Sequence, residues 1–200
     1  MVVLRTIAIM DSDDFSSGLD TPKPSPDPQD EEEGETTGTT FADLPLTAAI
    51  QDRLSALGFT HPTPIQEMTI PVALAGKDLI GKAETGTGKT LAFTCPILGQ
   101  LDSERVAVQA LVLCPTRELA QQVEEVASVM GEPLGLRVAL VVGGVHQSQQ
   151  ILQLRKGAQM VVGTPGRVLD FLRSGKVRLG WVEHVVLDEA EPAPPELFVR

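Results

Sequence analysis

The chain contains no apolar run near the roughly 20 residues needed to cross a bilayer, which leaves no candidate for a membrane-spanning helix. It also has few cysteines: Cys95 and Cys114 stand alone, with no Cys-x-x-Cys pair and no Cys/His cluster. That scarcity speaks against a disulfide framework or a zinc site and suits buried thiols in a reducing compartment. Residues Met1 to Met10 are apolar, but Arg5 interrupts them before the hydrophobic region of a secretory signal can develop. A soluble, cytoplasmic protein is therefore expected, with a nuclear or nucleoid location also open, and no internal repeat is found. Positive charge is scarce too, with 16 Lys and Arg against 27 Asp and Glu and a net charge of −11. This deficit looks wrong for a nucleic-acid partner until it is divided along the chain. Residues 1–40 hold ten acidic and two basic side chains, so the remaining 160 carry only −3. Charges more than about 10 Å apart are largely screened at moderate salt, so the acidic segment does not exclude a local basic surface elsewhere.

What the chain does have is 42% apolar residues, enough for a real core. The texture changes near residue 40. Residues 11–40 are rich in Asp, Glu, Pro, Ser, Thr and Gly and bury too little apolar surface to offset chain entropy. We therefore expect residues 1–40 to be a disordered acidic, proline-rich tail, in which Met10, opening Asp11-Ser12-Asp13-Asp14, is a second candidate translation start. From Phe41 regular elements begin. Thr47 can cap a helix with Ile50, Leu54 and Leu57 on one face and a stop at Gly58, and Pro64 opens a second helix ending near Gly76. Strands are then expected near 78–82, 108–114, 137–142, 159–163 and 184–188, alternating with helices at 89–101, 117–130, 147–156 and 165–173. Such alternation specifies an α/β domain, a parallel sheet with helices on both faces, whose ligands bind at the carboxyl ends of the strands.

The most informative stretch is Ala83-Glu84-Thr85-Gly86-Thr87-Gly88-Lys89-Thr90. It follows a short apolar strand and opens an apolar helix, the setting of a phosphate-binding loop. Gly86 and Gly88 let backbone N–H groups converge on phosphate oxygens at the positive end of the helix. Lys89 adds a mobile cation for the β and γ phosphates, and the Thr90 hydroxyl is a ligand for Mg²⁺. The first position of the general Gly-x-x-x-x-Gly-Lys-Thr pattern is here Ala83. A second element fits the same chemistry. The apolar run Val185-Val186-Leu187 delivers Asp188, suited to hold Mg²⁺ through its waters, and Glu189, suited to polarise a water attacking the γ-phosphate.

Taken together, these tokens resemble the DEAD-box ATP-dependent RNA helicases. They are Phe41; Gly58-Phe59-Thr60-His61-Pro62-Thr63-Pro64-Ile65-Gln66, which is similar to the family's Q motif; Ala83 to Thr90, with the family's alanine first; Pro115-Thr116-Arg117-Glu118-Leu119-Ala120; Gly143-Gly144; Thr164-Pro165-Gly166-Arg167; and Asp188-Glu189-Ala190-Glu191. The resemblance covers residues 41–191 and implies a RecA-like first domain of a two-domain helicase core, with ATP and Mg²⁺ as cofactors and RNA as partner. It implies that Gln66 reads the adenine and Phe41 stacks on it. It also implies that Pro115, Thr116, Arg117, Gly143, Gly144, Thr164, Pro165, Gly166 and Arg167 contact RNA. Helix starts bearing hydroxyls, flanked by two arginines, suit phosphates and read no base edge, so no sequence preference is expected. A DNA-acting translocase of the wider superfamily is the weaker reading, because the Phe41 and Gln66 motif points elsewhere.

Two departures stand out. The box ends in Glu191 in place of aspartate, and Pro192-Ala193-Pro194-Pro195 follows where the resemblance implies a helix, so residues 192–200 are read as an aberrant or truncated tail. The Ser-Ala-Thr motif and the second RecA-like domain, with its arginine fingers, are not among the 200 residues. Lack of such a finger lowers phosphoryl-transfer rates on the order of 10³ to 10⁵. The isolated chain is accordingly expected to bind ATP weakly and to hydrolyse it slowly; a non-catalytic ATP- or RNA-binding fragment with its own protein partners is the alternative.

Overall fold

Five parallel strand pairings build one six-stranded sheet in the computed structural model, which describes residues 5–10, 38–84 and 86–188. In chain order the elements are β1 (Arg5–Met10), α1 (Ala48–Ala56), α2 (Pro64–Leu74), β2 (Leu79–Lys82), α3 (Lys89–Leu98), β3 (Ala110–Leu113), α4 (Arg117–Gly131), β4 (Val138–Val141), α5 (Gln147–Arg155), β5 (Met160–Gly163), α6 (Pro165–Arg173) and β6 (His184–Asp188). Across the sheet the order is β2-β1-β6-β3-β5-β4. The parallel sheet with flanking helices expected from the alternation is what the chain forms.

Alternation within the strands explains the two cores. Ala110 and Val112 of β3, Met160 and Val162 of β5 and Val186 of β6 point into a core with α1 to α4, where Ile50, Leu54, Phe93, Val123 and Met130 are buried. Leu111, Leu113, Val161 and Val185 point the other way, onto Val168 and Phe171 of α6. Side chains on successive residues face opposite sides of a strand, so β3 and β5 must be apolar throughout, and all four residues of each are buried. The helix starts follow local chemistry. Thr63 precedes Pro64 and forms a capping box with Gln66, while Thr116 accepts a hydrogen bond from the Leu119 N–H at 3.2 Å. Thr47 does take the cap position of α1, but through its backbone: its carbonyl accepts from Ile50 and Gln51, and its hydroxyl makes no cap bond. Leu57, expected on the buried face, is instead the residue that ends α1 and is 37% exposed.

The N-terminal region is where the structure departs most from expectation. Residues 5–10, placed by composition in a disordered tail, form β1 in the interior of the sheet, with Ile7 only 5% exposed. The physical reason is a run of apolar residues that gains two ladders at once, one to β2 and one to β6. The rest of the expected tail up to residue 37, and the expected C-terminal tail 192–200, lie outside the described residues. No helix among the described residues is long and apolar enough to cross a membrane.

Both cysteines are buried and neither forms a disulfide. Desolvation pushes the Cys95 thiol up from 9.0 to about 12. Because the folded value is the higher one, the stability gained by keeping this thiol protonated is complete below pH 9.0 and is lost as pH rises toward about 12. A disulfide exchange reagent at pH 8 is therefore expected to label neither cysteine in the native chain and both after denaturation; rapid native labelling of Cys95 would contradict its burial.

Candidate functional site along the carboxyl edge of the sheet

All six strands run the same way, so the loops leaving their carboxyl ends share one edge. The loop from Ala83 to Gly88 joins β2 to α3 and turns at Gly86 and Gly88, whose φ angles are +86° and +84°. A Cβ on Gly88 would collide with the Gln66 amide, so glycine is required there on two counts. Lys89, 8% exposed, donates from Nζ to the Ala83 carbonyl at 3.0 Å, and Thr87 donates from Oγ1 to the Glu84 carbonyl at 2.7 Å. Thr90 follows in the first turn of α3. Thr85 lies outside the described residues.

The start of α2 is fastened to this loop. Gln66 is 3% exposed; its Oε1 accepts from the Thr63 N–H at 2.9 Å and its Nε2 donates to the Gly88 carbonyl at 2.9 Å. Thr63 donates from Oγ1 to the Thr87 carbonyl at 2.7 Å. An amide has two N–H bonds and two carbonyl lone pairs, so these contacts leave one donor and one acceptor of Gln66 for a ligand. Thr63 fastens the loop to α2, a placement that motif matching undervalued. Its signal was the Thr-x-x-Gln capping box, which sets both side chains beside the loop. Phe41 is placed differently from the base-stacking expectation: its ring is 4% exposed within the core, and its N–H donates to the Thr60 carbonyl at 3.1 Å.

Asp188 ends β6 at the same edge, 3% exposed and paired in register with Ile9, while Lys82 at the end of β2 pairs with Met10. Glu189, Ala190 and Glu191 lie outside the described residues. Among those described, no three or more His, Cys, Asp or Glu side chains cluster as a metal cage. Thr90 and Asp188 fit the other arrangement, a Mg²⁺ ion that keeps most of its waters and takes one or two protein oxygens beside phosphates. The two positive-φ glycines at the start of α3 suit an anion such as a phosphate.

The other half of the edge belongs to β3, β5 and β4. Pro115, Thr116 and Arg117 are exposed where β3 passes into α4, and Thr164, Pro165, Gly166 and Arg167 form the start of α6 after β5. Gly143 and Gly144 turn the chain after β4, with Gly144 at φ +73°. The Arg117 guanidinium lies against Gly144 where a Cβ would stand, and its Nη2 is 3.6 Å from Glu118. Arg167 donates to the Val145 carbonyl at 3.4 Å and rests 5.6 Å from the centre of the Phe171 ring. The three loops are thus brought together with two arginines between them. Gln150, which the motifs did not flag, supports them from below. It is 3% exposed, accepts from the Val142 N–H at 3.2 Å and donates to the Val142 carbonyl at 3.0 Å, holding the residue before Gly143-Gly144.

Comparison with known proteins bears on the family and the fold. The sequence profile of the DEAD/DEAH box helicases matches residues 63–193. The chain is 48% identical over 153 residues to the ATP-dependent RNA helicase CshA of Listeria monocytogenes, and 46% identical over 151 residues to the DEAD-box ATP-dependent RNA helicase CshA of Streptococcus pneumoniae. Each match covers 76% of this chain and 29% of the relative, so the chain spans less than a third of the length of these proteins. Among solved structures, a DEAD box protein from Methanococcus jannaschii superposes with a TM-score of 0.69 at 28% identity, covering 80% of this chain and 52% of that one. A variant of Dbp5 from S. cerevisiae, bound to RNA and ADP BeF3, gives 0.68 at 35% identity, covering 75% and 38%.

The role of Gln150 is open to direct measurement. Gln150→Ala strands a buried N–H and a buried carbonyl at Val142, and is expected to lower the unfolding free energy by about 1–3 kcal/mol while speeding amide exchange at Gly143 and Gly144. An unchanged urea midpoint with unchanged exchange would show that the amide is not what holds the turn.

Proposed function

Because the chain belongs to the DEAD/DEAH box helicase family, we propose that it is the ATP-binding domain of an ATP-dependent RNA helicase, holding ATP and RNA side by side on one sheet edge. The observation that carries the reading is the division of that edge: a phosphate loop latched by Gln66 and Thr63 on one side, two helix starts and two arginines on the other. The relatives named above are RNA helicases, and the Dbp5 structure holds RNA, which supports RNA as the polymer.

In this proposal Ala83, Thr85, Gly86, Thr87 and Gly88 supply the phosphate cradle, and Lys89 swings from the Ala83 carbonyl to the β and γ phosphates. The remaining donor and acceptor of Gln66 meet the adenine edge, a pairing that guanine cannot reproduce. Stacking by Phe41 requires its ring to be uncovered from the core. Thr90 and Asp188 hold Mg²⁺, which when bound neutralises charge on the phosphates. Glu189 orients the attacking water. Thr116 and Thr164, at the starts of α4 and α6, receive RNA phosphates with Arg117 and Arg167, and the turn at Gly143-Gly144 lets the backbone pass close.

Hydrolysis coupled to duplex unwinding is proposed for the assembled enzyme. The finger that completes the phosphoryl-transfer site would have to come from outside these residues, so the 200-residue polypeptide alone binds ATP weakly and turns it over slowly.

Three measurements test this reading. Lys89→Ala should weaken binding of a fluorescent ATP analogue with Mg²⁺ by more than tenfold. Arg117→Ala and Arg167→Ala should each weaken single-stranded RNA binding and flatten its salt dependence by about 0.7 in log–log slope per charge removed. Brisk RNA-stimulated hydrolysis by the purified chain would overturn the low-activity proposal, and equal stimulation by DNA would overturn RNA as its polymer.

A further inference from the structure

The strand between the two that carry the candidate nucleotide site comes from a part of the chain that composition assigned to a tail. β1 lies between β2, which feeds the phosphate loop, and β6, which delivers Asp188, and it is parallel to both. Among the described residues β2 has no other strand neighbour, so its place in the sheet depends on β1. The register runs through the functional end of both partners: Ile9 is level with Asp188 and with Gly81, and Met10 with Lys82. Ile7 is buried in the core beside Leu79 and Val186, its partners in the two ladders.

We infer that residues 5–10 are a positioning strand for the nucleotide site, holding the phosphate loop and Asp188 two strand spacings apart. Adjacent strands lie about 4.8 Å apart, so the interposed strand sets a separation of about 9.6 Å between β2 and β6. Without it, β2 and β6 would each present an unpaired ladder edge to a gap too wide for backbone hydrogen bonds. The phosphate loop would then be tied to the rest of the domain only through helix packing and the Gln66 and Thr63 latch. The occupant of the slot is the chain's own N-terminal segment, since the segment is apolar, of matching length and seated in register. It follows that a polypeptide starting at Met10 would lack the strand and, with it, the fixed spacing of the site. The inference rests on the ladders and not on the identity of the nucleotide.

Amide exchange on the full 200-residue chain, without nucleotide, tests it. Residues 6–10 and 79–82 are expected to exchange slowly and with similar protection. Ala8→Pro removes a ladder donor in mid-strand and should speed exchange of 79–82 at least tenfold while β3 and β5 keep their protection; Ile7→Val should change neither. With Mg²⁺ and a fluorescent ATP analogue, Ala8→Pro should weaken binding at least fivefold. Fast exchange of residues 6–10 in the unaltered chain, or protection of 79–82 indifferent to Ala8→Pro, would overturn the inference, whatever the nucleotide affinity. Should Ala8→Pro unfold the whole chain, the chain beginning at Met10 is mixed with a synthetic peptide of residues 1–10. Recovery of protection at 79–82 with this peptide and not with a scrambled one supports the slot, and no recovery overturns it. Protection that is lost on dilution together with a dimer assigns the strand to a second copy and overturns its placement within one chain.

Discussion

Parallel pairing commits every strand of this sheet to end on the same side, and that commitment organises the molecule. An antiparallel sheet would scatter its strand ends over two edges, whereas here β2, β6, β3, β5 and β4 all release their loops together. Each strand must then return by a crossover, and the returning helices cover both faces, so β3 and β5 carry no polar residue at all. The same crossovers aim the N-termini of α3, α4 and α6 at the shared edge, where their unsatisfied N–H groups favour anions. Anion-binding capacity is thus a by-product of the topology. The side chains at Lys89, Thr116, Arg117, Thr164 and Arg167 sharpen it.

Glutamine does much of the fastening in the spaces between these elements. Gln66 ties α2 to the phosphate loop and Gln150 ties α5 to the end of β4. At the opposite edge, Gln109 engages Asp102 and Arg105 through their backbone, while Gln159 bridges Arg137 to Ser103 and Arg105. All four are nearly inaccessible. A buried amide is tolerable only if both ends are satisfied, and in return it fixes two backbone segments at once without the desolvation cost of a charge. The arginines at the candidate RNA face are treated otherwise. Arg117 stays half-exposed over Gly144, which keeps its charge available to a polymer.

Much of this was legible in the sequence because the signals were local. The strand and helix bounds between residues 79 and 188 fall within about three residues of those read from periodicity, and the misses lie at ends where the last turn frays, as where α3 stops at Leu98 before Gly99. The turn at Gly86 and Gly88 leading into α3 at Lys89 was legible from glycine and lysine spacing. Three things were not. Gln150 looks like any surface glutamine in a polar helix, since nothing local says that Val142 lies beneath it. The ring of Phe41 is equally suited to a core or to a base, and residue type does not choose between them. β1 was hidden most completely. Six apolar-rich residues before an acidic stretch resemble a tail, and the partners that make them a strand lie far downstream.

That distance has a consequence for how the chain comes to be folded. Arg5 pairs with His184 and Ile9 with Asp188, so neighbours in the middle of the sheet are the earliest and the latest described residues to leave the ribosome. Local contacts in α1 to α6 can form during synthesis, but the closing ladder must wait for β6 and then bring the two ends together against a large loop-closure entropy. Until it does, the edge of β6 that β1 will cover remains open to other strands, the exposure that favours misassembly in slow-forming parallel sheets. The candidate nucleotide site is therefore among the last parts of the domain to become whole, and a nascent chain holds the Ala83 to Gly88 loop well before it has the frame on which that loop depends.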